Sequence, residues 1–289
     1  DPFIMTTIKD EKFSGVWGGI PVHGYWHTPD APKGVLVLVH GFGEHSERYL
    51  DGVVPFFASQ GFCCFGFDLV GHGSTGGKRG DCQGYDQLLD FVDTACRMAR
   101  ERYPRLPLLL FGHSMGGNLV LNFALRGMGH PEGIVASSPY LQLAFKPPQW
   151  KWQLGKLLQR VAPHVTVPAG LDPKGISRDP EEVRAYKADP LIHDRISPRY
   201  SFPVIEAGEW ALKNASKLMV PTLLLHGTAD PIIDPEGSRL FDQKAPNSEL
   251  VEIEGGYHEL HHDLGREAYF KSLQSWRDTP FPFETPADD

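Results

Sequence analysis

Six short apolar runs, at residues 35–39, 62–69, 108–111, 134–137, 222–225 and 250–253, constrain this chain more than any other feature. Between them lie stretches with apolar residues at helical spacing, at 53–59, 88–102, 119–125, 235–244 and 266–276. A strand with one wet face alternates apolar and polar residues, whereas these runs are apolar throughout. They therefore suit strands buried on both faces, in a mostly parallel sheet covered by helices on either side. Ahead of them, residues 15–26 read as two strands around a glycine turn. Cys63 and Cys64 are adjacent within the second run, so a strand there sends their side chains to opposite faces. With Cys82 and Cys96 they form no C-x-x-C spacing, and all four read as free thiols packed as small hydrophobes.

The alternation breaks between residues 140 and 205, a proline-rich stretch that reads as helices and loops with no clear strand. We divide the chain accordingly: residues 1–139 and 206–289 form the core, and 140–205 a helical cap or lid inserted after the sixth strand. An insertion there lies over the C-terminal edge of the sheet, where ligands bind in such folds. It carries ten Lys/Arg and six Asp/Glu, a net +4 on a chain of net −8. Within it, Trp150, Leu154, Leu157, Leu158 and Val161 recur at helical spacing, with Lys151, Lys156 and Arg160 interleaved. That face either packs over the core or dips into a membrane or lipid-droplet surface. The acidic balance argues against nucleic acid as a partner, and no apolar stretch approaches the roughly 20 residues of a membrane span. No secretory signal is visible, residues 1–4 read as an addition ahead of Met5, and the expected location is cytoplasmic, with peripheral membrane contact open.

At the end of the third run stands Gly112-His113-Ser114-Met115-Gly116-Gly117. A G-x-S-x-G sequence between strand and helix forms a turn so tight that the residues flanking the serine must be very small, and it lifts the hydroxyl above the sheet. A serine hydroxyl is a poor nucleophile without a base, and the base needs a carboxylate to fix its tautomer. Asp230 follows a buried strand and is the acid candidate; Asp234 competes but sits where it would cap the helix starting at Pro235. His258, directly after Gly255 and Gly256, is the base candidate, with His261 and His262 as rivals. For an oxyanion, the N–H of Met115 and that of Phe42, in the loop His40-Gly41-Phe42-Gly43, are the expected donors.

Six stretches carry a family resemblance. They are G-F-G-E-H-S-E-R-Y from Gly41, D-L-V-G-H-G from Asp68, the elbow itself, Y-K-A-D-P-L-I from Tyr186, H-G-T-A-D from His226 and Y-H-E-L-H from Tyr257. On these the chain resembles the monoacylglycerol lipases of the α/β-hydrolase superfamily, over roughly residues 15 to 277. The resemblance implies an α/β-hydrolase fold, a triad of Ser114, Asp230 and His258, oxyanion donors at Phe42 and Met115, and no cofactor or metal. It also implies a polar pocket for the glycerol end at Glu44, Arg48, Tyr186 and His261, with His113 beside it, and a lipophilic lid that docks on membranes. The bulk of Phe42 is expected to narrow the pocket. The function so implied is cleavage of a lipid ester, monoacylglycerol to fatty acid and glycerol, through an acyl-enzyme. A short-chain carboxylesterase, a lysophospholipase, or a ligand receptor without activity on the same scaffold remain alternatives.

Two motifs point elsewhere. Gly71-His72-Gly73-Ser74-Thr75-Gly76 matches G-x-G-x-x-G but opens no helix that could hold a phosphate. His258-Glu259-Leu260-His261-His262 matches H-E-x-x-H, yet its first histidine is expected in a loop, so two zinc ligands would not share a helix face.

Overall fold

The computed structural model describes residues 8–145 and 148–277; the segment 1–4 discussed above lies outside them. Eight strands form one sheet in the order β1 (Ile8–Trp17), β2 (Ile20–Pro29), β4 (Phe62–Phe67), β3 (Gly34–Val39), β5 (Leu108–His113), β6 (Gly133–Ser137), β9 (Thr222–Gly227), β10 (Ser248–Ile253). The hairpin β1–β2 and its junction with β4 are antiparallel. From β4 to β10 every pairing is parallel. The sheet is therefore mostly parallel, as the uniformly apolar runs require.

Its two faces bury two separate cores. On β3, Val35, Val37 and Val39 enter one core while Leu36 and Leu38 enter the other; on β5, Leu108 and Leu110 part from Leu109 and Phe111 in the same way. Cys63 and Cys64 obey the same alternation, and all four cysteines are free and buried. Helices α2 (Tyr85–Arg102), α3 (Met115–Leu125) and α6 (Pro198–Asn214) cover the first face, and α1 (Val53–Ser59) and α8 (Arg266–Arg277) the second. The period of two thus meets apolar helices on both sides, and each fully buried leucine here contributes about 2 kcal/mol relative to exposure.

The segment between β6 and β9 holds α4 (Gln149–Val161), α5 (Pro180–Ala188) and α6. Two features differ from expectation. Strands β7 (Val167–Pro168) and β8 (Arg195–Ile196) form a two-stranded ladder, too short to leave a periodic trace in sequence. The expected boundary at 205 falls inside α6, which starts at Pro198 after the capping side chain of Ser197 and runs on through Pro203 to pack Tyr200, Val204, Ala207 and Ala211 into the first core. Helix α4 has no buried residue. It rests on α6 through Trp152, whose ring meets Phe202 edge-on at 4.9 Å. A Cβ at Gly155 would come within 2.8 Å of Phe202, so this glycine, unfavourable for a helix by itself, permits the close approach. No helix among the described residues is long and apolar enough to cross a membrane.

Candidate active site

The candidate residues gather at the C-terminal edge of the sheet because each follows a parallel strand: Phe42 after β3, Ser114 after β5, Asp230 after β9 and His258 after β10. Ser114 stands between β5 and α3 with φ 54°, a left-handed conformation for a residue with a Cβ. The turn tolerates nothing larger than glycine beside it. A Cβ at Gly112 would lie 2.2 Å from the Gly116 carbonyl oxygen, and one at Gly116 would lie 2.0 Å from that of Val39. The strained turn is held by Ser114 N–H donating to the Ser137 carbonyl at 2.9 Å and by Tyr140 N–H donating to the Ser114 carbonyl at 2.9 Å.

The three candidates form one continuous relay. His258 Nε2 is 2.9 Å from Ser114 Oγ, and His258 Nδ1 is 2.7 Å from Asp230 Oδ2. A carboxylate only accepts, so Nδ1 carries the proton and Nε2 is left to accept from the serine hydroxyl. Asp230 is itself fully engaged: Oδ1 accepts from the Ile232 and Ile233 N–H groups at 2.9 and 3.1 Å, and Oδ2 also from His226 Nε2 at 3.2 Å. Burial alone would push the Asp230 carboxyl up, but the His258 charge and the hydrogen bonds from His226 and His258 hold it well below the usual range. Burial likewise opposes a charged His258, yet Asp230 outweighs it and raises the imidazole above its ordinary value. Asp234 does cap α7 (Pro235–Asp242), accepting from Glu236 N–H at 2.9 Å.

Helix α3 begins at Met115, so the N–H groups of its first turn have no acceptor within the helix and face the end of β5. Across from them, no backbone carbonyl among the described residues takes the Phe42 N–H. The Phe42 loop is pinned from below: Gly41 N–H donates to Glu44 Oε1 at 2.6 Å, and His40 Nδ1 donates to the Gly41 carbonyl at 2.6 Å. The Phe42 ring packs edge-on against His72, His193 and Tyr200 and lines the cavity.

A cavity of about 850 Å³ opens over Ser114 and His258. Most of its wall is apolar and comes from the segment between β6 and β9, including Trp150, Leu154, Leu158 and Phe202. Its polar part contains Glu44, His113, Tyr186 and Glu259. Arg48 and His261, expected on this wall, are set back from it. Arg48 is buried, bonded to Glu44 Oε2 at 2.5 Å and bidentately to Glu259 at 2.7 Å, with the Tyr186 ring 4.9 Å over its guanidinium. His261 is wholly buried, stacked on Tyr49 at 4.9 Å and edge-on to His113. Burial and the neighbouring His258 charge push His113 down to about 4, so it lies beside the triad as a neutral ring.

The two competing motifs fail locally. The Gly71–Gly76 turn closes on itself through Gly71 N–H to the Gly76 carbonyl at 2.9 Å, and α2 starts only at Tyr85. In the H-E-x-x-H string, His258 belongs to the relay and His262 to a single short turn over Leu260–His262. Donor atoms of Glu259, His261 and His262 do lie within 4.8 Å of one another, but the Glu259 carboxylate already holds the Arg48 cation.

Residues 30–265 match the family described as serine aminopeptidase, S33. The chain is also 32% identical over 277 residues to a monoacylglycerol lipase of Mycolicibacterium smegmatis, an overlap covering 94% of this chain and 98% of that one. The chain belongs to this family of α/β-hydrolases. Among solved structures, a monoacylglycerol lipase of Paleococcus ferrophilus matches with a TM-score of 0.79 at 35% identity, covering 93% of this chain and 98% of that one. A soluble variant of the Saccharomyces cerevisiae monoglyceride lipase, with a substrate analogue bound, shares the fold with a TM-score of 0.84 at 24% identity, covering 95% of this chain and 96% of that one.

Two participants escaped the sequence reading. His226 heads the H-G-T-A-D string with no role assigned to it, yet its Nδ1 accepts from Ser238 Oγ at 2.7 Å and its Nε2 thereby points a proton at Asp230. Glu259 is hidden inside the Y-H-E-L-H string. Only the pairing of its carboxylate with Arg48, 211 positions away, reveals it.

Proposed function

We propose that this protein hydrolyses monoacylglycerols through an acyl-enzyme, with Ser114 as nucleophile, His258 as general base and then acid, and Asp230 holding His258. The observation that carries the reading is the Ser114–His258–Asp230 relay at the floor of a cavity that is apolar along most of its wall and polar beside the nucleophile. The apolar wall suits the acyl chain, and the polar part suits a small polyol. Ser114 Oγ adds to the ester carbonyl as its proton passes to His258 Nε2. The Phe42 and Met115 N–H groups receive the oxyanion. Collapse expels glycerol, protonated from Nε2, and a water deprotonated by the same nitrogen then releases the fatty acid. We assign residues 140–205 as a cap. The exposed Trp150, Leu154, Leu157 and Val161 of α4, at 65, 48, 55 and 69% exposure, together with the exposed Lys151, support transient contact with a lipid surface. Similarity to enzymes named for this substrate along nearly their whole length supports the choice of ester.

The test is a panel of mono-, di- and triacylglycerols with Ser114→Ala as control. Monoacylglycerol turnover should dominate, and the variant should lose at least about 10³-fold of it while melting like the parent. Retained turnover in Ser114→Ala, or equal rates on triacylglycerol, refutes the assignment.

A further inference from the structure

The polar part of the cavity holds more negative than positive charge. Glu44 and Glu259 both line it, whereas the Arg48 between them is not on the wall. All three side chains are nearly inaccessible, at 3, 4 and 8% exposure. Arg48 outweighs the cost of burial at both carboxyls and keeps Glu44 below and Glu259 well below the ordinary range, so two anions face one cation. The remaining charged residues on the wall do not correct this. Lys151, Lys187 and Asp194 are exposed and screened by water, and Asp189 is half-buried and paired with His45 at 2.8 Å. A carboxylate accepts hydrogen bonds and donates none. What such a wall can satisfy is a group that donates, such as the hydroxyls of a neutral polyol, or a group that carries positive charge, such as an ammonium. A phosphate or carboxylate placed there would meet like charge in a poorly screened site.

Resting on the function proposed above, we propose that Glu259 sets the charge selectivity of the alcohol side of the cavity, admitting neutral and cationic alcohols and excluding esters whose alcohol bears phosphate. One uncompensated charge a few ångströms from such a group, at the effective dielectric of a protein interior, corresponds to a discrimination of about a hundredfold. Either carboxylate forms a neutral pair with Arg48, and Glu44 also holds the Gly41 N–H and the Tyr49 hydroxyl, so Glu259 is the carboxylate whose charge can be removed without releasing the Phe42 loop.

The experiment measures kcat/KM of the full chain at pH 8 for three oleoyl esters: oleoylglycerol, oleoylglycerol phosphate and oleoylcholine. The wild type should take the glycerol and choline esters and discriminate against the phosphate ester by about a hundredfold. Glu259→Gln keeps the shape and removes the charge. It should raise the phosphate-to-glycerol ratio at least about tenfold and lower the choline-to-glycerol ratio. Glu259→Asp, which keeps the charge, should restore the wild-type ordering. Equal wild-type turnover of phosphate and glycerol esters overturns the proposal without any variant, and an unchanged ratio in a folded Glu259→Gln overturns it as well. Absence of turnover on oleoylglycerol by the wild type sinks instead the function on which it rests.

Discussion

Replacing Asp230 by asparagine changes one atom and should silence the enzyme by reversing a tautomer. Asp230 has two tasks at its two oxygens: Oδ1 accepts from the Ile232 and Ile233 N–H groups, and Oδ2 from His258 and His226. Backbone N–H groups cannot turn into acceptors, so the asparagine carbonyl must stay on their side and its NH₂ must face the two imidazoles. His258 Nδ1 then has to accept, which moves its proton to Nε2, 2.9 Å from Ser114 Oγ. A protonated Nε2 cannot take the serine proton. A triad with the wrong tautomer loses about 10⁴-fold in kcat, about 5.4 kcal/mol of barrier. The fold should persist, since all but the imidazole contacts are kept. The assay is steady-state hydrolysis of a monoacylglycerol alongside the rate of Ser114 labelling by a fluorophosphonate, with melting curves as a check on folding. A loss of less than tenfold in either rate, in a folded variant, would refute the assignment of Asp230 as the group that orients the base.

His226→Leu removes one of the donors on Asp230 Oδ2 and should cost about tenfold in kcat, the worth of one hydrogen bond to a charged group; a loss as large as that of Asp230→Asn would make His226 part of the relay itself. Turnover requires neutral His258, whose value Asp230 raises, so the acid limb of kcat/KM should fall above pH 6.5, and a limb below pH 6 contradicts the pairing. The lowered carboxyls of Asp230, Glu44 and Glu259 stabilise the fold above their unfolded values near 4 and cease to do so as pH falls through the folded ones, so Tm should drop from about pH 4 downward. His258 has the opposite sign, stabilising below about 6.5 and losing that contribution as pH rises through its raised value. Leu157→Ser with Val161→Ser, both off the cavity wall, should reduce binding to phospholipid vesicles at least about tenfold while sparing hydrolysis of a short soluble ester; unchanged sedimentation with vesicles refutes α4 as the contact.

What could be read in advance follows from how local the cause is. Ser114, Asp230 and His258 each stand a few residues beyond an apolar run, so a strand end and a turn signal locate all three. Both Asp230 and Asp234 precede a proline, but only Asp234 stands directly ahead of the helical spacing from Pro235, which marks it as the cap. The uniform apolar runs announce a parallel sheet for the same reason, since a strand buried on both faces has no polar alternation to show. The failures share the converse property. The β7–β8 ladder is two residues long on each side, and α6 runs through residue 205 because its second half packs into the core through side chains that a proline-based boundary does not weigh. The resemblance puts Arg48 in the pocket, but Glu259, from the loop after β10, arrives beside it and the two carboxylates enclose its guanidinium. His226 carries no role in its string until the loop after β9 folds Asp230 back onto it. The residues that react are thus marked by their own neighbours in sequence. The residues that orient them and set the charge around them are marked by neighbours in space, and only the closed sheet supplies those.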